Sequence, residues 1–342
     1  MTGAASGPVG NRVSDRVTAA RVNVLITSAG QRVSLVRAFK KEVSAFDDRN
    51  RVYTVDLNPA LAPACHVSDG FSAVPSVTDP GYPSDLLALC LAWRIGIVVP
   101  TIDTELAVLA KSRSRFEEHG IHIVVSASDF IEKCRDKRII ADFFSEHDID
   151  VPKTIDRANP DFPLFVKPFD GSRSEGARHV RDASELHDHD LENPKLMFME
   201  YIDHAQYEEF TVDAYYGRDG RLKCAVPRKR IHVRAGEINK GVTRKNEIVG
   251  HLRERLHLIP GAAGCLTMQF FFHPTTKRVV GIEVNPRFGG GYPLSYLAGA
   301  NFPRWIVDEY VNGQDIPYFE AWEDGLLMLR YDDEVVVRGY EE

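Results

Sequence analysis

Two apolar runs in the last third of the chain restrict its fold most: Cys265-Leu266-Thr267-Met268-Gln269-Phe270-Phe271-Phe272 and Val279-Val280-Gly281-Ile282-Glu283-Val284, with Thr275-Thr276-Lys277-Arg278 between them. Aromatic and β-branched runs of this length around a polar turn read as an antiparallel hairpin. Alternation puts Glu283 and Asn285 on one side of the second strand, with Ile282 and Val284 on the other. Gln269 lies fourteen positions before Glu283, a spacing that two strands and one hairpin loop can close so that the two residues sit opposite each other. Glu283, Asn285 and Arg287 then form a row of oxygen ligands ending in a guanidinium. Hard cations take oxygen ligands and Arg grips oxyanions in a fork, so the row suits magnesium and phosphate. The same residues could serve as the wet face of an ordinary strand. Their neighbours, Phe270 to Phe272 and Val279 to Val284, are apolar enough to be core, where an unpaired carboxylate is costly.

At 342 residues, 44% hydrophobic and 27% charged, the chain can bury two or three cores. A net charge of −7 speaks against a nucleic-acid partner, with Arg228-Lys229-Arg230 a local exception. Five cysteines, Cys65, Cys90, Cys134, Cys224 and Cys265, are scattered without C-x-x-C spacing. They predict neither a disulfide framework nor a zinc site, and a reducing cytoplasm is the expected compartment. No apolar run reaches the roughly 18–20 residues of a membrane span, and the N-terminus lacks a signal-peptide core.

Residues 1–20 are rich in Gly, Ala, Ser and Arg and read as a mobile extension. Strand-like runs at Val22–Thr27, Val52–Val55, Ile95–Val99 and His122–Val125, the first followed by a helical pattern at Val33, Leu35, Val36 and Phe39, predict a parallel α/β domain over residues 21–128. Ser28-Ala29-Gly30 lacks the G-x-G-x-x-G of a dinucleotide site, and Asp56 alone favours one. Gly30 and Arg32 at a helix start read either as an anion site facing a substrate or as a structural loop with a solvated Arg32.

Ser128 is the expected N-cap of the next helix, which carries Arg135-Asp136-Lys137. Leu164-Phe165-Val166-Lys167-Pro168 is a strand leading into Phe169-Asp170-Gly171-Ser172-Arg173-Ser174-Glu175-Gly176. That loop can wrap backbone N–H groups around phosphate, or can simply be a hairpin tip; no Walker A sequence is present. Met197 to Ile202 and Glu209-Phe210-Thr211-Val212-Asp213 are two further strands. Arg230 and Lys240, in a basic stretch, either lie on a solvated face or neutralise phosphate or an acidic substrate. Gly289 to Gly291 are expected to leave room for a substrate larger than bicarbonate. His187 and His189, on one strand-like face, are exposed or could bind metal. Trp305–Val311 is read as a helix, and Leu326–Tyr331 with Glu334–Arg338 as a closing hairpin.

Gln269 with Glu283-Val284-Asn285-Pro286-Arg287 resembles the metal-binding strands of the ATP-grasp superfamily, especially its carbamoyl-phosphate-synthetase-like branch. Asp136-Lys137, Lys167-Pro168 with its Gly/Ser loop, and the Ser28-to-Arg37 stretch resemble further parts of that pattern in the same order. The resemblance covers roughly residues 21–315. It implies an α/β fold, α+β in the grasp lobes: a Rossmann-like parallel-sheet domain (21–128), a small lid subdomain (129–197) and an antiparallel C-terminal lobe (198–342). It also implies that Lys137, Lys167, Gly171 and Ser172 hold ATP phosphates, that Glu200 and Ile202 lie at adenine, and that Glu209, or Glu208 in its place, takes the ribose. Gln269, Glu283 and Asn285 would carry two Mg2+ ions, with Mn2+ as a substitute, and Arg287 would act on the transferred phosphate; by their place before the metal strands, one or two of Arg230 and Lys240 are expected to neutralise that phosphate or an acidic substrate. The segment 228–241 departs from the carbamoyl-phosphate-synthetase pattern, which leaves the substrate open. The expected activity is a cytoplasmic, ADP-forming carboxylate–amine ligase working through an acyl phosphate on small molecules, with no nucleic-acid or membrane partner and with room for a homodimer. Phosphorylation of bicarbonate or carbamate, or a non-catalytic ATP sensor, are the alternatives.

Overall fold

The computed structural model describes residues 22–171, 176–234 and 236–340. The expected extension at 1–20 and the phosphate-loop residue Ser172 lie outside the described residues.

The first sheet is parallel: β1 (Asn23–Thr27), β2 (Val52–Asp56), β3 (Gly70–Ala73), β4 (Ile95–Val99) and β5 (His122–Ile123), in the order β3-β2-β1-β4-β5. Every residue of β1 is buried, as a central strand covered on both faces requires. Val24 and Ile26 pack with Val36 and Phe39 on one side, and Leu25 packs with Leu86 and Leu106 on the other. Strand β3 was not legible in the sequence, because it is a four-residue edge with alternating half-exposed positions. The strand order reverses between β1 and β4, and open α/β sheets take their ligands in the crevice beyond the strand ends at such a point. Here the buried Glu105 carboxylate ties the two loops together, accepting from Ser28 Oγ at 2.8 Å and from the Thr101 N–H at 2.7 Å. Burial pushes its carboxyl up, against the hydrogen bonds from Thr101 and Ser28.

A small antiparallel sheet follows: β6 (Leu164–Pro168), β7 (Arg178–Val180) and β8 (Leu196–Glu200), ordered β7-β6-β8 over a core of Leu164, Val166, Val180 and Phe198. The remaining strands, β9 (Glu208–Tyr216), β10 (Leu222–Arg234), β11 (Glu237–Thr243), β12 (Gly264–Phe272), β13 (Val279–Asn285) and β14 (Leu327–Leu329), make one antiparallel sheet in the order β13-β12-β9-β10-β11-β14. Alternation sorts its residues as expected: Phe210, Val212 and Ala214 join Met268 and Phe270 in the core, leaving Glu209, Thr211 and Asp213 for the other face. At Gly281 the sheet meets the helix Lys137–Glu146 so closely that a Cβ would lie 2.6 Å from the Phe144 ring.

Four expectations change. Ser128 is the first helical residue rather than the cap; Ala127 precedes it without a side-chain bond, while Asp136 caps the following helix by accepting from the Arg138 N–H at 2.9 Å. Asp56 accepts the Gly30 N–H at 2.9 Å and so props the β1 loop. His187 caps a short helix, Asp188–Glu192, instead of sharing a strand face with His189. The closing hairpin does not form: Leu327–Leu329 pairs with Lys240–Val242 of β11, and residues 334–338 form no strand, because an unpaired sheet edge was available to the apolar segment.

Candidate active site

The hairpin register places Gln269 directly across from Glu283 and Asn285 across from Thr267. Asn285 Nδ2 donates to Glu283 Oε1 at 3.1 Å, and Gln269 Nε2 donates to Glu209 Oε1. Arg230 Nε stands 3.3 Å from that Glu209 oxygen. One face of β13, β12, β9 and β10 therefore gathers Glu283, Asn285, Gln269, Glu209 and Arg230. Glu208 points to the opposite face, where it pairs with Lys229 at 2.5 Å. Of the two adjacent acids, Glu209 shares the face of Glu283 and Glu208 does not.

Lys167, on β6, closes the arrangement from the small sheet. It is only 9% exposed. Burial pushes its ammonium down to about 8, Glu283 opposes that shift and Lys137 adds to it. Lys137 Nζ donates to the Gly171 carbonyl, and its backbone N–H to the Phe169 carbonyl at 3.1 Å, so the loop after β6 hangs on the helix start that Asp136 caps.

The donor set fits a hard cation. Glu283 supplies a carboxylate, and Gln269 and Asn285 supply carboxamide oxygens. Among the described residues no group of three or more His, Cys, Asp and Glu side chains is placed to hold a metal. Such a site suits magnesium, which keeps water and phosphate oxygens among its ligands, and not zinc.

Other predicted residues are placed differently. Glu200 accepts from the Lys153 N–H and from Arg278, both at 3.1 Å; burial raises its carboxyl, but these partners outweigh it and hold it below the usual range. Its carboxylate thus bridges the two antiparallel sheets, and Ile202 beyond it is buried. Lys240 is exposed and makes no ion pair among the described residues. Gly289 to Gly291 do not leave open space. A Cβ on Gly289 would meet Thr267 at 2.9 Å, on Gly290 the Glu237 carboxylate, and on Gly291 the Arg228 guanidinium. The loop is poor in side chains because neighbouring ones fill it. Arg228 is itself buried against Asp213 at 2.7 Å, and Ser295 donates to the same carboxylate at 2.6 Å.

Arg287 reaches the first domain, donating to Asp103 Oδ2 from Nε at 3.1 Å and from Nη2 at 2.7 Å. Sequence reasoning missed Asp103, which opens the helix Asp103–Glu117 just after the β4 loop. Its only signal was an acid in a first helical turn after a buried strand, a common feature. Arg32 lies in the same place, 3.6 Å from Glu237, which also takes Arg330 at 3.2 Å. A cavity of about 650 Å³ lies across the large sheet from Glu283, between Phe210, Phe272 and the helix Glu247–Arg255.

Comparison with known proteins follows this division of the chain. A family model described as "PylC-like, N-terminal domain" matches residues 24–124, and one described as "ATP-grasp in the biosynthetic pathway with Ter operon" matches residues 192–333. No curated protein matches the sequence. Similar solved structures include the N5-carboxyaminoimidazole synthetase of Staphylococcus aureus complexed with ADP (TM-score 0.65, 15% identity, covering 86% of this chain and 78% of that one). The biotin carboxylase domain dimer of Hydrogenobacter thermophilus 2-oxoglutarate carboxylase, with MgADP and bicarbonate, gives a TM-score of 0.65 at 14% identity over 86% and 70%. The L-amino acid ligase of Bacillus licheniformis gives 0.60 at 16% identity over 85% and 74%. At such identities the likeness shows the fold. With both family models matching in chain order, over a parallel-sheet domain followed by two antiparallel sheets, residues 24–124 match a PylC-like N-terminal domain, residues 192–333 match an ATP-grasp domain, and the chain has the fold of the ATP-grasp structures.

Proposed function

We propose that the chain is a carbamoyl-phosphate-synthetase-like ATP-grasp ligase that joins a small carboxylate to an amine and releases ADP and phosphate. The observation that carries this reading is the buried Lys167 brought under the influence of the Glu283 carboxylate, with Lys137 near Lys167, Gln269 and Asn285 beside Glu283, and Arg287 two residues past Asn285. In this reading Lys137, Lys167, Gly171 and Ser172 bind the nucleotide phosphates, backbone at Glu200 and Ile202 meets adenine, and Glu209 takes the ribose. Gln269, Glu283 and Asn285 would hold Mg2+, two ions with Mn2+ as a substitute, whose charge neutralises the phosphate oxygens. Lys167, desolvated before nucleotide arrives, regains its full charge beside phosphate. A carboxylate oxygen attacks the terminal phosphorus, the bond to ADP breaks, and an acyl phosphate forms. The amine then attacks the acyl carbon, phosphate leaves, and the amine gives up a proton. Arg287 steadies the carboxylate and then the acyl phosphate, and Arg230 steadies Glu209. Lys240, exposed on β11, is kept as a residue that reaches an acidic substrate.

The filled space beside Gly289 to Gly291 favours a second reading, in which the phosphorylated acid is as small as bicarbonate or carbamate. No helix among the described residues is long and apolar enough to cross a membrane; we place the enzyme in the cytoplasm, as monomer or homodimer, without a nucleic-acid partner. ADP release should depend on a carboxylic acid, and hydroxylamine should trap that acid as its hydroxamate. Release of AMP, or ADP formed without any acid, would overturn the ligase reading; no ADP at all would leave a nucleotide sensor.

A further inference from the structure

Three guanidinium groups, Arg32, Arg287 and Arg330, share the crevice beyond β1 and β4 with two carboxylates, Asp103 and Glu237. Both carboxylates are engaged: Asp103 by Arg287 at 2.7 Å and Glu237 by Arg330 at 3.2 Å. Arg32 has only a long approach to Glu237, 3.6 Å, and its Nη1 is buried without a hydrogen-bond partner. A buried N–H of a charged group left unpaired is costly, and a carboxylate, like a phosphate, presents paired oxygens that match a guanidinium fork. Arg32 comes from the loop after β1, at the sheet's reversal point, and reaches Glu237 at the start of β11 in the large antiparallel sheet.

Resting on the ligase reading above, we propose that Arg32 is a specificity-determining residue that receives the carboxylate of the amine substrate, which is therefore an amino acid rather than a simple amine. Arg287, two residues past Asn285, is left to the carboxylate that is activated. Glu237, beside both Arg32 and Gly290, faces the amino group of the acceptor. The site offers carboxylates and guanidiniums within one crevice, which favours a zwitterion over a neutral or purely cationic amine.

The test uses the full chain with an acid identified by hydroxylamine trapping. The standard amino acids are screened as acceptors by ADP release, and each active one is compared with its carboxamide. The carboxamide should show a KM about 10–100-fold higher at similar kcat, the scale of a lost charge-assisted hydrogen bond. Arg32→Gln should raise the amino-acid KM by a similar factor and erase the preference over the carboxamide. Arg32→Lys, which keeps charge but not the fork, should fall between; a circular-dichroism melt confirms that each variant is folded. Equal use of amino acid and carboxamide by the native enzyme, or a preference that survives in a folded Arg32→Gln, would overturn this assignment while leaving the ligase intact. Absence of any trapped hydroxamate would sink the ligase reading itself, and this proposal with it.

Discussion

Lys167 should make nucleotide binding depend on pH in a window where ATP itself no longer titrates. Its ammonium, ordinarily near 10.5, is pushed down to about 8, first by burial and then by Lys137, with Glu283 opposing. Phosphate oxygens placed against it would favour the charged form and return it toward its ordinary value. Binding above pH 8 then requires proton uptake. With a free-state value of about 8, roughly one molecule in eleven carries the proton at pH 9, so the dissociation constant for ADP or a non-hydrolysable ATP analogue should rise about tenfold between pH 7 and pH 9. Titration calorimetry in two buffers of different ionisation enthalpy reads both the affinity and the proton count. Arg does not titrate in this range, so Lys167→Arg should bind with a flat profile and no uptake. The same shift has a sign for stability. Between about 8 and 10.5 the unfolded chain holds the extra proton, so the free protein should gain stability as pH rises through that window, by at most about 3 kcal/mol. A wild-type affinity that is constant from pH 7 to 9, with no proton taken up, would refute the burial argument.

Glu283→Gln keeps volume while removing the one carboxylate among the three proposed metal ligands; ADP formation should fall by at least about a hundredfold with the thermal midpoint unchanged, and undiminished turnover would count against the metal assignment. Asp103→Asn removes the charge that holds Arg287 across the domains and should lower kcat about tenfold while ADP affinity stays constant, which steady-state kinetics beside calorimetry would separate. Arg228→Met strands the Asp213 carboxylate in the core with only Ser295 as partner; chemical denaturation should show a loss of about 3–5 kcal/mol, and a loss below about 1 kcal/mol would mean that the pair contributes little.

Local order in the chain was enough for the hairpin and for the shared face of Gln269, Glu283 and Asn285. A two-residue period and a separation of fourteen positions place Gln269 opposite Glu283 with Asn285 on the same side, because strand alternation is a property of the backbone and needs no distant partner. The parallel sheet was legible for a similar reason, since β1, β2 and β4 are short β-branched runs separated by helical patterns. What tertiary docking decided were contacts between elements far apart in sequence. Arg287 and Asp103 are separated by 184 positions, and no periodicity in either segment points to the other. Composition alone predicts open space beside Gly289 to Gly291, whereas the side chains that fill it come from β10, β11 and β12. Glu209 was separated from Glu208 only by the register of β9 against β12, and Leu327–Leu329 found its partner in β11 because that edge was free. The depressed ammonium of Lys167 is likewise a consequence of burial between two sheets, a quantity that no residue type carries by itself.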